Sequence, residues 1–368
     1  MSARDPTTSA YAPGRVELLG NHTDYNEGVV LGGAIDRGLT VSGSVRDDGA
    51  VSLRSSSVRQ VRVSIEPLLR QTGDARWANY ALGVVGEFLA AGISVPGFSA
   101  EVAGDLPAGN GLSSSAAFEV ATAFFLNKIC HSGFAPMEIA KLCQRAEEHF
   151  VGVRSGLLDQ VTSIFGKADH AVFFDVRTEE VRTISFPQDL ALIIAQTGAP
   201  RELASGKYNE RREETRAAAQ ALGVAALRDV SSGTLRARTD LAALLRRRAA
   251  HVVGENERVW RGLELLERGD GAGFGELMNQ SHESSRENFE NSSVELDHLV
   301  EAAQKLPGVL GSRLTGGGFG GATITLCERA RANETGAALS AAYAQRTGLV
   351  PIIFVCRLSD GADVIARR

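Results

Sequence analysis

Apolar and polar residues alternate along this chain with two distinct periods. The segments "LTVSGSVRD" (39–47) and "AVSLRSSSVRQVRVSI" (50–65) repeat every second residue, which predicts strands from about Leu39 to Ile65. "NYALGVVGEFLAAG" changes to helical spacing and ends on Gly92, a suitable C-cap. "FSAEVAGDLP" predicts a strand running into a loop. The next helix, "SSAAFEVATAFFLNKIC", gathers Ala117, Val120, Ala121, Phe124 and Phe125 on one side. "PMEIAKLCQRAEEHFVG" predicts another, with Pro136 in its first turn. "HAVFFDV" and "LALIIAQT" are short, continuously apolar runs of the buried-strand type, and "VRTISFPQD" between them suggests the crossing into a second domain.

The second half is rich in helical spacing: "KYNERREETRAAAQALG", "LAALLRRRAAHVVGENERVWRGLELLERG" and "FGELMNQSHESSRENF". Its Arg and Glu residues three and four apart predict solvated helix faces. Strand patterns return at "ATITLCE" and "PIIFVCRL". No internal repeat appears. The expectation is an α+β chain of two lobes, residues 1–185 and 186–368, with a cleft between them. At 368 residues the chain is long for a single core, which points the same way.

Composition narrows the classes. Hydrophobic residues at 43% and charged residues at 23% are ordinary for a soluble globular protein. The net charge of −5, with no basic arm or stripe, argues against a nucleic-acid partner, because such binders cluster Lys and Arg to displace counterions. No apolar run approaches the roughly 20 residues that span a bilayer. The opening "MSARDPTTSAYAPG" lacks the apolar stretch of a secretory signal. Cys130, Cys143, Cys327 and Cys356 form no CxxC pair, so reduced thiols and a cytoplasmic location are expected. No obligatory protein partner is implied.

Four stretches carry chemistry. In "GRVELLGNHTDYNEGVV" six consecutive residues, His22 to Glu27, mix donors and acceptors where a turn needs one or two. Such a run suits a surface that reads hydroxyl groups. In "GDLPAGNGLSSSAAFEVA" Pro107, Gly109 and Gly111 precede Ser113, Ser114 and Ser115, and a helix follows at once. The first N–H groups of a helix lack internal partners and favour an anion, while Gly109 and Gly111 let backbone approach it closely. A phosphate site is expected, though not a P-loop, since no Gly-Lys-Ser/Thr follows. "RLTGGGFGGATITL" fits GxGxxG literally, but a strand pattern follows it rather than the helix a dinucleotide fingerprint needs. A tight hairpin and a close backbone approach both remain open there. Finally, Asp159 in "GLLDQVTSIF" places a carboxylate among apolar neighbours, where it serves as a structural acceptor or as a tuned base. Glu147 in "RAEEHFVG" is similar: a metal-facing acid or a solvated helix residue.

Together these stretches resemble the ordered motifs of the superfamily of galactokinase, homoserine kinase, mevalonate kinase and phosphomevalonate kinase. "APGRVELLGNHTDYNEG" is similar to the galactokinase signature, and "LPAGNGLSSSAA" and "LTGGGFGGATITL" follow in order. "RWANYALGVV", "GLLDQ", "ELASGKYNERR" and "VELDHLVEAA" add to the likeness, which runs from Tyr11 to about Leu326. The resemblance implies a two-lobed sugar-kinase fold that uses ATP and Mg²⁺ to phosphorylate the anomeric C1 hydroxyl of a free hexose. It implies that Asp159 orients that hydroxyl and that Arg15 beside it stabilises the transferring charge. An arginine there favours the charged carboxylate, so positioning would outweigh proton abstraction. Ser115 and Glu147 match the Mg²⁺ positions. Gly109, Gly111, Ser113 and Ser114 match the phosphate cradle, with Gly317 and Gly318 also on the nucleotide side and Trp77 bordering the base. Asn21, His22, Asp24, Gly156 and Tyr208 match the sugar pocket.

One departure stands out. Galactokinases usually read "GEHTDYN", with a glutamate expected to hold the 6-hydroxyl, and this chain has Asn21 in its place. Either galactose stays preferred, or selectivity moves toward a modified galactose such as galacturonate, 6-deoxygalactose or N-acetylgalactosamine. A catalytically silent sugar sensor is the other class to weigh; the intact "GLSSSAA" and Asp159 count against it.

Overall fold

The computed structural model describes residues 7–56, 58–107, 111–199 and 204–365. Its first half lays down β1 (Thr8–Leu19), β2 (Val29–Arg46), β3 (Ala50–Ser55), β4 (Val58–Ser64), α1 (Asn79–Ala90), β5 (Gly97–Gly104), α2 (Ser114–Ile129), α3 (Pro136–Ala146), α4 (Leu158–Phe165), β6 (His170–Asp175) and β7 (Glu180–Ser185). The second adds β8 (Leu190–Gln196), α5 (Ala204–Leu222), α6 (Ser232–Ala237), α7 (Ala243–Glu267), α8 (Gly271–Ser284), α9 (Val294–Ala303), β9 (Val309–Thr315), β10 (Ala322–Glu328), α10 (Ala332–Thr347), β11 (Ile352–Cys356) and β12 (Asp363–Ile365).

Two sheets result. The larger runs β12-β1-β2-β5-β3-β4, and β6 with β7 continues from the start of β2. At 18 residues β2 is long enough to serve two neighbours: Val29–Gly32 pairs with β6, and Leu39–Arg46 with β5. The smaller sheet, β11-β8-β10-β9, is antiparallel throughout. In β8 all seven residues are buried, which explains its unbroken apolar run. One core joins the sheets: Leu18 and Leu19 share it with Val259, Phe274 and Ile324.

The alternating segments form strands as expected, turning at Gly49 with φ +61°. The stretch "VRTISFPQD" (181–189) holds the end of β7, Glu180–Ser185, which pairs with β6, and then the link to β8, which opens the smaller sheet at Leu190. The glycine-rich stretch is a hairpin, with Thr315 opposite Ala322. Both α3 and α8 end in a π-turn, at Glu147–Val151 and Ser285–Phe289, a distortion that tends to accompany function. Among the described residues no helix is long and apolar enough to cross a membrane.

Candidate active site

A cleft of about 320 Å³ is lined from β1 and the turn after it, the start of α2, the end of α3, the start of α4, α5 and the glycine hairpin. At its centre Asp159, second residue of α4, is gripped from two sides. Arg15 donates from Nε to Oδ1 at 2.6 Å, and the Ser113 hydroxyl donates to Oδ2. Arg15 also donates from Nη1 to the Gly111 carbonyl at 2.7 Å. Buried Arg15 and partly open Asp159 therefore hold each other in one orientation.

Ser113 is the N-cap of α2 with φ +54°, and its side chain caps no amide because it is turned to Asp159. The start of α2 thus keeps its positive end on the cleft without a Ser113 side-chain cap, which fits the expected phosphate site. Ser114, Ser115 and Gly111 line the same cleft. Gly109 lies outside the described residues. Glu147 opens the first π-turn and lines the cleft too; its Oε2 accepts from the Ser155 hydroxyl. Burial pushes its carboxyl up to about 7, against the Ser155 bond and with help from the Asp159 charge.

On the other side of Asp159, Asp24 and His22 enter from the polar run. Burial, then the charges of Asp159 and Glu17, push Asp24 up to about 7. A Cβ on Gly156 would lie 1.9 Å from Asp24 Oδ2, so only glycine fits beside that carboxylate. His22 has φ +60° and packs against Tyr208 and Phe289 with ring centroids 5.0 and 4.6 Å away. Burial, reinforced by Arg211 and Arg313, pulls it down to about 3, so the ring is neutral. Its Nδ1 then accepts from the Tyr25 hydroxyl at 2.7 Å and Nε2 donates to the Gly317 carbonyl at 3.0 Å.

The polar run is therefore mostly self-bracing. Thr23 Oγ1 donates to Gly20 and Val29, Asn26 Nδ2 to the His22 carbonyl, and Glu27 is exposed against Arg177. Only His22 and Asp24 of the six line the cleft. Gly317 and Gly318, expected on the nucleotide side, line the cleft and border the polar turn: Gly317 takes His22, and Gly318 (φ +77°) passes so close to Asn291 that a Cβ would lie 2.2 Å from its carbonyl. Trp77 is stacked on Phe118 at 5.8 Å and is not part of the cleft lining, where Tyr80 appears.

Asn21 is fully buried, and its amide is nearly saturated. Nδ2 donates to Glu17 Oε1 at 2.8 Å and to the Gly316 carbonyl at 2.9 Å, and Oδ1 accepts from Asn291 Nδ2 at 2.9 Å. Glu255 of α7 accepts both the Gly20 and Asn21 N–H groups at 2.8 Å, fixing the turn. Sequence reasoning missed Glu17, Glu255 and Asn291. Glu17 stands inside the signature, but four residues of straight strand would separate it from Asn21 by about 13 Å. A register shift after Glu17 and the left-handed Gly20 (φ +95°) fold the chain back instead.

Fold and cleft define a small-molecule kinase of the GHMP class. Three family models match in order: the galactokinase galactose-binding signature over residues 2–45, the GHMP kinases N terminal domain over 79–167 and the GHMP kinases C terminal over 263–345. The chain is 43% identical to a galactokinase of Roseiflexus sp., covering 97% of this chain and 92% of that protein, and 40% identical to the human galactokinase, covering 98% and 93%. A crystal structure of Lactococcus lactis galactokinase complexed with galactose superimposes with a TM-score of 0.94 at 32% identity, covering 99% of this chain and 96% of that one. A mevalonate kinase at 18% identity and a TM-score of 0.68 shares the fold alone. The chain belongs to the galactokinase family: it is a sugar kinase, transferring a phosphoryl group from ATP to an alcohol.

Proposed function

We propose that this enzyme phosphorylates the C1 hydroxyl of D-galactose, giving galactose 1-phosphate and ADP. The observation that carries the reading is Asp159, clamped by Arg15 and Ser113 in a cleft lined both by the Asp24–Gly156 pair and by the start of α2. Phosphoryl transfer asks chiefly for alignment and for charge to be met where it spreads. Asp159 presents a fixed acceptor to the hydroxyl, Arg15 supplies the fixed cation, and the α2 amides with Ser114 hold phosphate. Asp24, with Gly156 beside it and Tyr208 and His22 as walls, binds the sugar.

Mg²⁺ fits the donor set. Ser115 and Glu147 offer one hydroxyl and one carboxylate to the same cleft, and no group of three or more His, Cys, Asp or Glu is gathered among the described residues. A hard, well-hydrated cation takes few protein oxygens and completes its shell from water and phosphate. Bound with ATP, it offsets the phosphate charge. The two lobes, 1–185 and 186–368, take the parts of a lobe that carries the sugar signature and the serine loop and a helix-rich lobe that carries the glycine hairpin. The reading calls for no protein partner, nucleic acid or membrane, and the four free cysteines suit the cytoplasm.

A panel of free sugars with ATP and Mg²⁺, read by ADP release, tests this. Galactose should give the highest kcat/KM. Asp159→Ala should lower kcat by about 10³-fold, within the range of a positioned acid–base group, while ATP binding by calorimetry stays within about threefold. Turnover near the wild-type value would remove Asp159 from the reaction, and ADP release that ignores every free hexose would overturn the function.

A further inference from the structure

The replacement at position 21 looks like the loss of a charge, but the structure holds a carboxylate 2.8 Å from that amide. Glu17 is 3% exposed and lines the cleft beside Asn21 and Asp24. Its backbone N–H donates to Thr315 Oγ1 at 2.9 Å, so the main chain there is tied to the hairpin strand β9. Its Oε1 accepts twice: from Asn21 Nδ2, and from Nη2 of the fully buried Arg313 at 2.9 Å. Arg313 is in turn anchored on the Leu18 carbonyl at 3.0 Å. Oε2 has no hydrogen bond among the described residues.

Oε2 is not sealed off by protein: Glu17 lines the cleft, and this free acceptor opens onto it. Asn21 has no N–H to spare, since both hydrogens of its Nδ2 have acceptors. The donor that completes Glu17 therefore comes from the cleft, water in the free enzyme and a ligand hydroxyl when the cleft is filled. We propose that Glu17 is a specificity-determining residue: Asn21 and Arg313 hold its carboxylate so that Oε2 accepts a sugar hydroxyl at the place the resemblance gives to a glutamate at position 21, the 6-hydroxyl. This rests on reading the cleft as a sugar 1-kinase site. The negative charge has moved to a neighbouring residue rather than disappeared. A hydroxyl there is recognised, its absence leaves Oε2 unpaired, and a C6 carboxylate meets a like charge. Galacturonate is thereby excluded, contrary to what Asn21 alone suggests. The rival account is a purely structural Glu17–Arg313 pair that never touches sugar.

The test compares kcat/KM for galactose, 6-deoxygalactose and galacturonate in the wild type, Glu17→Gln, Asn21→Glu and the double variant Glu17→Asn/Asn21→Glu, with KM for ATP measured alongside. Wild type should favour galactose over 6-deoxygalactose by about 10²-fold or more, since a site built to bond a hydroxyl rejects its absence strongly, and galacturonate should be poorer still. Glu17→Gln should cost galactose about 10–100-fold, the scale of a bond to a charged group, yet change 6-deoxygalactose by under about threefold and leave KM for ATP unmoved. Asn21→Glu sets two carboxylates together and should lose galactose activity, which the exchanged double variant should recover. Equal loss for both sugars in Glu17→Gln would mark the pair as structural only. Wild-type discrimination between the two sugars below about threefold, or galacturonate matching galactose, would overturn the proposal whatever the variants do. Either result, obtained with an enzyme that still turns over galactose, sinks this inference and leaves the proposed function standing; failure of all free hexoses would sink the function itself.

Discussion

Three carboxylates, Asp24, Asp159 and Glu17, crowd the sugar half of the cleft, and Asp24 bears a measurable consequence. Its carboxyl is pushed from 3.8 in the open chain up to about 7 by burial and by the other two charges. A raised carboxyl means the folded state holds its proton more tightly than the unfolded one. The stability this confers is present in full below about pH 4 and is lost as pH rises toward 7. Asp24→Asn, neutral at every pH, should therefore match the wild-type melting temperature near pH 4, or fall slightly below it, and exceed it increasingly up to pH 8, while galactose turnover collapses. A gap that stays constant from pH 4.5 to 8 in thermal scans would refute this assignment. Asp24 was legible from its place in the "HTDYN" stretch. Its neighbour Glu17 was not, because a pattern of alternating residues carries no information about a backbone that turns left-handed at Gly20.

Helix ends, more than helix bodies, shape the site. The π-turn after α3 presents Glu147, and the one after α8 delivers Phe289 under His22 and, just beyond, Asn291 against Asn21. Arg248 of α7 secures this second turn. It is 2% exposed and donates to Glu214 of α5 at 2.6 Å, to Glu290 at 2.6 Å and to the Asn288 carbonyl at 2.7 Å. Removing one partner of a buried ion pair costs about 3–5 kcal/mol, and the lower end applies here because Glu290 is 44% exposed. Arg248→Ala should lower the urea midpoint accordingly and raise KM for the sugar several-fold with KM for ATP little changed. An unchanged sugar KM would show that the turn holds its shape without Arg248. The regular spacing of Arg and Glu in this half predicts solvated faces, and most are exposed. Arg211, Arg248 and Glu255 are buried exceptions that periodicity does not mark, since a helical repeat shows which residues share a face but not what covers it.

Across the whole molecule, the chain's last strand returns to its first. β12 closes the edge of the larger sheet by pairing Ser9, Ala10 and Tyr11 with Ile365, Val364 and Asp363. Deleting residues 363–368 strips three cross-strand pairs, worth about 1–3 kcal/mol together, and bares an edge that invites association. We expect a lower melting temperature and concentration-dependent aggregation, with kcat per folded molecule unchanged; a truncated chain as stable and monodisperse as the intact one would disprove the role of β12. Such a closure is invisible to a reading that proceeds window by window. What the sequence by itself determined is whatever physics acts over a few residues: strand and helix periods, the serine-capped start of α2, the glycine hairpin, and the contiguous words that mark a galactokinase. Only the tertiary structure decided which oxygen meets which hydrogen, because those encounters join Arg15 to Asp159 across 144 positions and Glu17 to Arg313 across 296. Over such separations the packing of two sheets on one core sets distance and burial, and with them the charge each side chain can carry.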